Sequence, residues 1–168
     1  MQPISRKALL FAGTMVCCLA FLANPGMSQK YEALQGVDTI KAVFDFRNGD
    51  PGFLYSHLQL VYTTYTDQMV RSSDDSPQFT VIFMSKSVAP LSRDRGQFSA
   101  EERKTLEKMD RLLAKMAKAG ITLEVCEVAA GSQNVELDSI IPEVKPVPNG
   151  WVSSIGYQAK GYSLVPVY

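Results

Sequence analysis

Residues 79–84 (FTVIFM) form an unbroken apolar run, the pattern of a strand buried on both faces. Such a strand cannot stand at a solvated surface, so it points to a parallel sheet with helices packed over it. The flanking sequence supplies both. Residues 39–46 (TIKAVFDF), rich in β-branched and aromatic side chains, read as a first strand. Arg47-Asn48-Gly49 is a turn signal, and Asp50-Pro51 opens a helix with a cap and a first-turn proline. Leu54, Leu58, Val61, Tyr65 and Met69 keep helical spacing, so this helix is expected to cover one sheet face. Residues 71–77 (RSSDDSP) are a polar loop leading into FTVIFM.

Beyond that run, a short helical piece through Leu91 leads to a charged loop over 93–96. Ser99 and Glu102 then have capping-box spacing, and Leu106, Met109, Leu113 and Met116 make the apolar stripe of the helix they start. Glu101 and Lys118 suit its dipole, Gly120 ends it, and its many charges read as a solvated outer face. Ile121, Leu123 and Val125 alternate as a third strand that ends at Cys126, where a small-residue segment turns into a helix. Residues 144–147 read as a fourth strand, and Pro146 assigns it to an edge or a strand end. Pro148-Asn149-Gly150 opens either a helix over 151–160 or an antiparallel Asn-Gly hairpin. The strand–helix alternation of the rest of the chain favours the helix. Residues 162–167 (YSLVPV) close the chain as a last strand. The expectation is an α/β fold with strands at 39–46, 79–84, 121–126, 144–147 and 162–167 in one parallel sheet.

The front end is different. Arg6 and Lys7 precede a nearly unbroken apolar run over 8–23, and Gly26 and Ser28 sit at the small positions of a cleavage site before Gln29. That layout predicts a signal peptide over 1–28, a folded domain over 29–168 and a periplasmic or secreted protein. The rival is an uncleaved anchor, the one route by which this chain would hold a membrane; its apolar run is short against the ~20 residues of a span. Cleavage would remove Cys17 and Cys18 and leave Cys126 alone, which excludes an internal disulfide and marks a thiol for attention. It would also remove two of the 17 basic residues and none of the 17 acidic ones, leaving 15 against 17, a net charge of −2. No basic stripe points to nucleic acid. The sequence holds neither GxGxxG nor GxxxxGK[ST], so no nucleotide cofactor is implied. A zinc site needs about four ligands, and one Cys with one His (His57, on the first helix surface) falls short of it.

In a parallel sheet the strand ends converge on one edge, where ligands bind. That places Arg47, Asn48, residues 85–87, Cys126, Asn149, Gly150 and Trp151 around a common mouth. Cys126 is the candidate nucleophile, with Asn48, Ser85, Asn149, Gly150 and Trp151 as candidate binding residues. A helix start after Cys126 favours a thiolate there, and Glu127 opposes it. The bland alternative is a buried cysteine among ordinary loop residues.

The segment LEVCEVAA, the strand–helix alternation before it and the closing VPNGWVSSIGYQAKGYSLVPVY resemble the DsrE/DsrF-like family, closest to its exported, stand-alone branch. The resemblance covers about residues 33–168. It implies a three-layer α/β/α fold with a mainly parallel five-stranded sheet, a homo-oligomer, and sulfur relay in which Cys126 accepts sulfane sulfur as a persulfide; no cofactor is expected. A sulfur donor or acceptor protein would be the partner. The segment after Cys126 lacks the basic residues often found in relay members, and export would separate this chain from cytoplasmic relay partners. Two other functions compete: a non-catalytic module that binds a small ligand or a protein in the strand-end cleft, and a structural subunit with an inert Cys126.

The export reading makes one direct prediction. N-terminal sequencing of the mature protein from the cell envelope should begin near Gln29; a soluble protein that begins at Met1 would contradict it.

Overall fold

The computed structural model describes residues 31–71 and 76–168. The expected signal peptide, and the middle of the polar loop at 72–75, lie outside the described residues. Strand β1 (Lys41–Phe46) leads to helix α1 (Pro51–Thr66) and the single turn α2 (Gln68–Arg71). Strand β2 (Gln78–Phe83) is followed by a 3-10 segment (Ser85–Leu91) and helix α3 (Ala100–Lys118). Strand β3 (Thr122–Cys126) runs directly into helix α4 (Glu127–Ser132), and strand β4 (Lys145–Val147), helix α5 (Gly150–Ala159) and strand β5 (Ser163–Val167) complete the chain. The five strands form one sheet in the order β4-β3-β2-β1-β5, with every neighbouring pair parallel. Both edge strands carry a proline, Pro146 in β4 and Pro166 in β5, where a missing N–H costs no ladder bond inside the sheet.

Helices lie on both sides of this sheet, which makes the fold three-layered. The strands step in one direction from β1 to β4, and the chain then returns across the sheet to β5. Right-handed crossovers put the helices of the outward steps on one face and the return helix α5 on the other. The packing agrees: α1 packs on α3, Tyr65 of α1 meets the ring of Phe79 edge-on at 5.4 Å, and α5 lies across β1, β2, β3 and β5.

The two faces differ in chemistry. Register places Phe44 beside Val81 and Val165, and Phe46 beside Phe83 and Val167, with Leu123 and Val125 completing the same apolar face under α1 and α3. Leu54, Leu58, Leu106, Met109, Leu113 and Met116 close over it, each 0% exposed. Each such side chain contributes about 1.5–3 kcal/mol. Under α5, the alternate residues of the same strands include Asp45, Thr80 and Glu124. A polar face beneath one short helix is where this fold has chemistry to spare.

Local sequence explains the helix ends. Asp50 Oδ1 accepts from Phe53 N at 2.6 Å, and the capping box at Ser99 and Glu102 is closed in both directions. Gly120, at φ +99°, stops α3 in a conformation that glycine adopts without strain. Asn149 Oδ1 accepts from Trp151 N at 2.9 Å and starts α5, so the antiparallel hairpin is excluded. The strand ends and the α5 helix shift by one or two residues from the sequence reading, and the end of α1 differs for a physical reason. Met69 keeps the apolar period, but α1 ends at Thr66: Asp67 turns extended (ψ 133°) and its carboxylate accepts from Met69 N at 2.8 Å. That local side-chain bond competes with the helix and wins. Among the described residues no helix is long and apolar enough to cross a membrane.

Leu106→Ala should cost about 2–5 kcal/mol, because a fully enclosed site relaxes poorly around the void. Ser99→Ala should cost about 1 kcal/mol through the lost cap. Urea denaturation of the two variants checks the order; equal costs would contradict it.

Candidate functional site

The parallel ladder sets the geometry of the strand ends. Phe46, Phe83 and Val125 are register partners, so the next residues, Arg47, Met84 and Cys126, fall in one row across β1, β2 and β3. Met84 N donates to Phe46 O at 2.8 Å and Arg47 N to Val167 O at 3.2 Å, which carries the ladder to the end of the row. Side chains alternate along a strand, so this row lies on the polar, α5 face. Val147 of β4 pairs with Cys126 and ends the row on its other side.

A cleft of about 340 Å³ opens over the row. Met84 and Cys126 lie in its floor, Arg47 and Ser85 on one flank, and Val128, Ala129 and Ser132 of α4 on another. Asn149 and Trp151, at the start of α5, close the remaining side. Cys126 is the last residue of β3 and the N-cap of α4, with an exposure of 6%. The sequence reading placed this thiol at the mouth of a pocket; it belongs to the floor. Trp151, 62% exposed, is on the rim.

The positive charge in the cleft is held from behind. Arg47 Nε and Nη2 donate to Asp45 Oδ2 at 2.9 and 2.8 Å, and Nε also reaches Oδ1 at 3.2 Å. Asp45 is 4% exposed, so the carboxylate is sealed and the guanidinium faces the cleft. This bidentate bond raises the guanidinium's pKa above its usual value, against an opposing effect of burial. Removing Arg47 alone would leave a buried unpaired carboxylate, a costly change.

Two loops form the cleft's flank and are locked together. A Cβ on Gly49 would sit 2.6 Å from Lys86 O, so only glycine lets the loop after β1 approach the loop after β2. Ser85, lining the cleft, has φ +55°, a left-handed conformation uncommon outside glycine. Backbone held this way gathers at functional sites.

The other expected residues fall into place around this frame. Asn48 does not line the cleft; its Oδ1 accepts from Asp50 N at 2.9 Å and shapes the turn. Gly150 is a close-packing position, since a Cβ there would meet Met84 Cγ and Sδ at 2.8 Å and Cys126 Cβ at 3.0 Å. Ser87 is buried, its hydroxyl 2.7 Å from Phe46 O and 2.8 Å from Met84 O. Glu127 follows Cys126 in the chain but does not line the cleft. His57 stacks on Phe53 at 3.7 Å and bonds Phe53 O at 2.8 Å on α1, away from Cys126. Among the described residues no group of three or more His, Cys, Asp or Glu could hold a metal ion.

Sequence reasoning missed Asp45, although its place two residues before Arg47 on a strand puts both on one face. It also missed what anchors α5. Glu124 accepts from Tyr157 Oη at 2.8 Å and from Ser153 Oγ, which ties the helix to β3 beside the cleft. Burial, followed by the bond to Glu124, pushes the Tyr157 phenol up to about 12.

No protein-family model matches the chain. An uncharacterized protein from Aquifex aeolicus (strain VF5) is similar, 27% identical over 128 residues. These cover 76% of this chain and 56% of that relative, so the chain spans little more than half of the relative's length. Among solved structures, the protein of unknown function MTH1491 from Methanobacterium thermoautotrophicum is similar in fold, with a TM-score of 0.59 and 16% identity over 76% of this chain and 98% of that one. The ychN protein from E. coli gives a TM-score of 0.49 at 12% identity, with the same coverage of each chain. The MTH1491 likeness supports the parallel three-layer fold; the other is too low to argue from.

Tyr157 yields a pH prediction. A folded pKa of about 12 against an ordinary 10.0 means that the native state holds the phenol proton more tightly. The associated stability is present in full below pH 10.0 and is lost as pH rises through about 12. Ultraviolet titration should show one tyrosine ionising late, and Tyr157→Phe should remove that late step; an unchanged titration would contradict it.

Proposed function

We propose that the protein is an exported sulfur-handling carrier that holds sulfane sulfur as a persulfide on Cys126. The observation that carries this reading is the placement of the sole cysteine of the 29–168 domain in the floor of a strand-end cleft, in register with a guanidinium. The Cys126 thiolate would attack a sulfane sulfur, the new S–S bond forming as the donor's leaving group departs with its electron pair. Transfer to an acceptor thiolate is the same exchange in reverse and consumes no oxidant. This chemistry needs a reachable, ionisable thiol and little else. The resemblance to the DsrE/DsrF-like family supports the same residue in the same role, and the front end of the sequence supports a periplasmic or secreted setting.

Partners have a surface to meet. Val128, Trp151, Val152 and Ile155 are 62–64% exposed on α4 and α5, beside the cleft. Large apolar side chains grouped in this way mark association surfaces. A homo-oligomer, with a donor or acceptor protein approaching the rim, is the arrangement the reading includes.

The low exposure of Cys126 favours a second reading, a binding module whose cleft holds a small ligand or a protein segment without thiol chemistry. Thiol labelling separates the two. A carrier should label at Cys126 in the native state, whereas labelling that waits for unfolding would leave the binding module. Cys126→Ser should cost about 1 kcal/mol or more in either case, since a hydroxyl in an apolar floor wants a partner. In a carrier it should also abolish persulfide formation.

A further inference from the structure

The polar groups of the cleft are biased towards one kind of ligand. Among the described residues no Asp or Glu lines it, and Asp45, behind Arg47, is already committed to that guanidinium, on which Tyr168 also acts electrostatically. Donors remain on four of the lining residues, among them the Trp151 indole N–H on the exposed rim. Arg47, Ser85 and Asn149 line the cleft, and the Arg47 Nη1, the Ser85 hydroxyl and the Asn149 side-chain amide nitrogen have no hydrogen-bond partner among the described residues. Asn149 has spent its oxygen on the cap of α5, which leaves its donor side for the cleft. The other lining residues are Met84, Cys126, Val128 and Ala129, which are apolar or soft, the amphipathic Trp151 on the rim, and Ser132, whose hydroxyl is spent on Ala129 O. Arg47 and Cys126 lie at the ends of β1 and β3, the two strands that flank β2 and its Met84, so their backbones are about 10 Å apart at two ordinary strand spacings. A ligand between them meets donors at one end and a sulfur nucleophile at the other.

From this arrangement we infer that the cleft selects oxyanionic sulfane donors, of which thiosulfate is the simplest, and that Arg47 is the residue that sets this specificity. The inference rests on Cys126 being the sulfur-accepting residue. Arg47, with Ser85 and Asn149, binds the sulfonate oxygens, while the outer sulfur lies against the apolar floor facing Cys126. After the thiol has given its proton to solvent, Cys126 Sγ attacks the outer sulfur. The Sγ–S bond forms as the bond to the sulfonate sulfur breaks, and sulfite leaves with the electron pair. Charge and oxidation state balance without a further reactant. Arginine suits the task because a guanidinium can hold Asp45 on one edge and still present donors on another, whereas a lysine ammonium is a single point charge.

The test compares two donors on the full chain, with cyanide-labile sulfur on Cys126 as the readout. Thiosulfate should load the unaltered protein with release of one sulfite per sulfur, and neutral elemental sulfur should load it as well. The paired variant Asp45→Asn/Arg47→Gln keeps a hydrogen-bonding pair while removing both charges. It should load from thiosulfate about tenfold or more slowly, the loss of a charged hydrogen bond, and from elemental sulfur within about twofold of the unaltered rate. Equal slowing with both donors, no slowing with thiosulfate, or loading of the unaltered protein by elemental sulfur alone would overturn the role of Arg47 and leave the carrier reading intact. Loading by neither donor would overturn both. A measurement on the unaltered protein guards against a variant that does not fold. Iodoacetate should gain on neutral iodoacetamide at Cys126, relative to the same pair of reagents on a free small-molecule thiol. A ratio no higher than the free thiol's would overturn the inference.

Discussion

Burial of one sheet face under α1 and α3 is the interaction on which the rest of this molecule depends. Phe44, Phe46, Phe79, Val81, Phe83, Leu123 and Val125 fill that face, and two amphipathic helices close over it. Because side chains alternate with a period of two, fixing this face in the core fixes the opposite face as well. A slip of one residue in β1 would send Asp45 into the apolar layer and turn Phe46 out. The apolar side therefore sets the register that brings Arg47, Met84 and Cys126 into one row at the strand ends.

The second face mixes fully buried Val43 and Ile82 with polar residues, and those polar residues carry its distinct role. Asp45 anchors Arg47, while Glu124 holds α5 through Ser153 and Tyr157. Each buried or half-buried acid here is matched by its own donors, as buried charge requires. The same two anchors build the cleft, one aiming its guanidinium and the other fixing the helix whose first residues close its side. Gly49 and Gly150 contribute by leaving space, one for loop against loop and one for helix against Cys126.

Most of the fold was legible because each element announced itself locally. FTVIFM needed burial on both faces, Asp50-Pro51 and Ser99…Glu102 were explicit helix starts, and Pro146 marked an edge. The break at Asp67 was not legible, because the apolar period runs on to Met69 and only the local carboxylate bond stops the helix. At the site, topology alone gathered Ser85, Cys126, Asn149 and Trp151, since parallel strand ends must meet at one edge. Which neighbour in a turn points inward was beyond reach: Asn48 spends its side chain on the loop, and Arg47 beside it takes the cleft. The clamp on α5 was also hidden, because Glu124 meets partners 29 and 33 residues along the chain, with no pattern in the sequence to link them.

A sulfur carrier needs its cysteine enclosed enough to protect a persulfide and open enough to exchange it. Under the carrier function proposed above, a thiol in the floor of the cleft would answer both needs, and the exposed apolar side chains of α4 and α5 would be where a partner seats during exchange. Mass spectrometry of the intact, non-reduced protein after brief exposure to a sulfane donor tests this most directly. It should show a mass gain of whole sulfur atoms, reversed by a thiol reductant and mapped by digestion to the peptide that contains Cys126. An unchanged mass, in a protein whose Cys126 is otherwise intact and reduced, would contradict it.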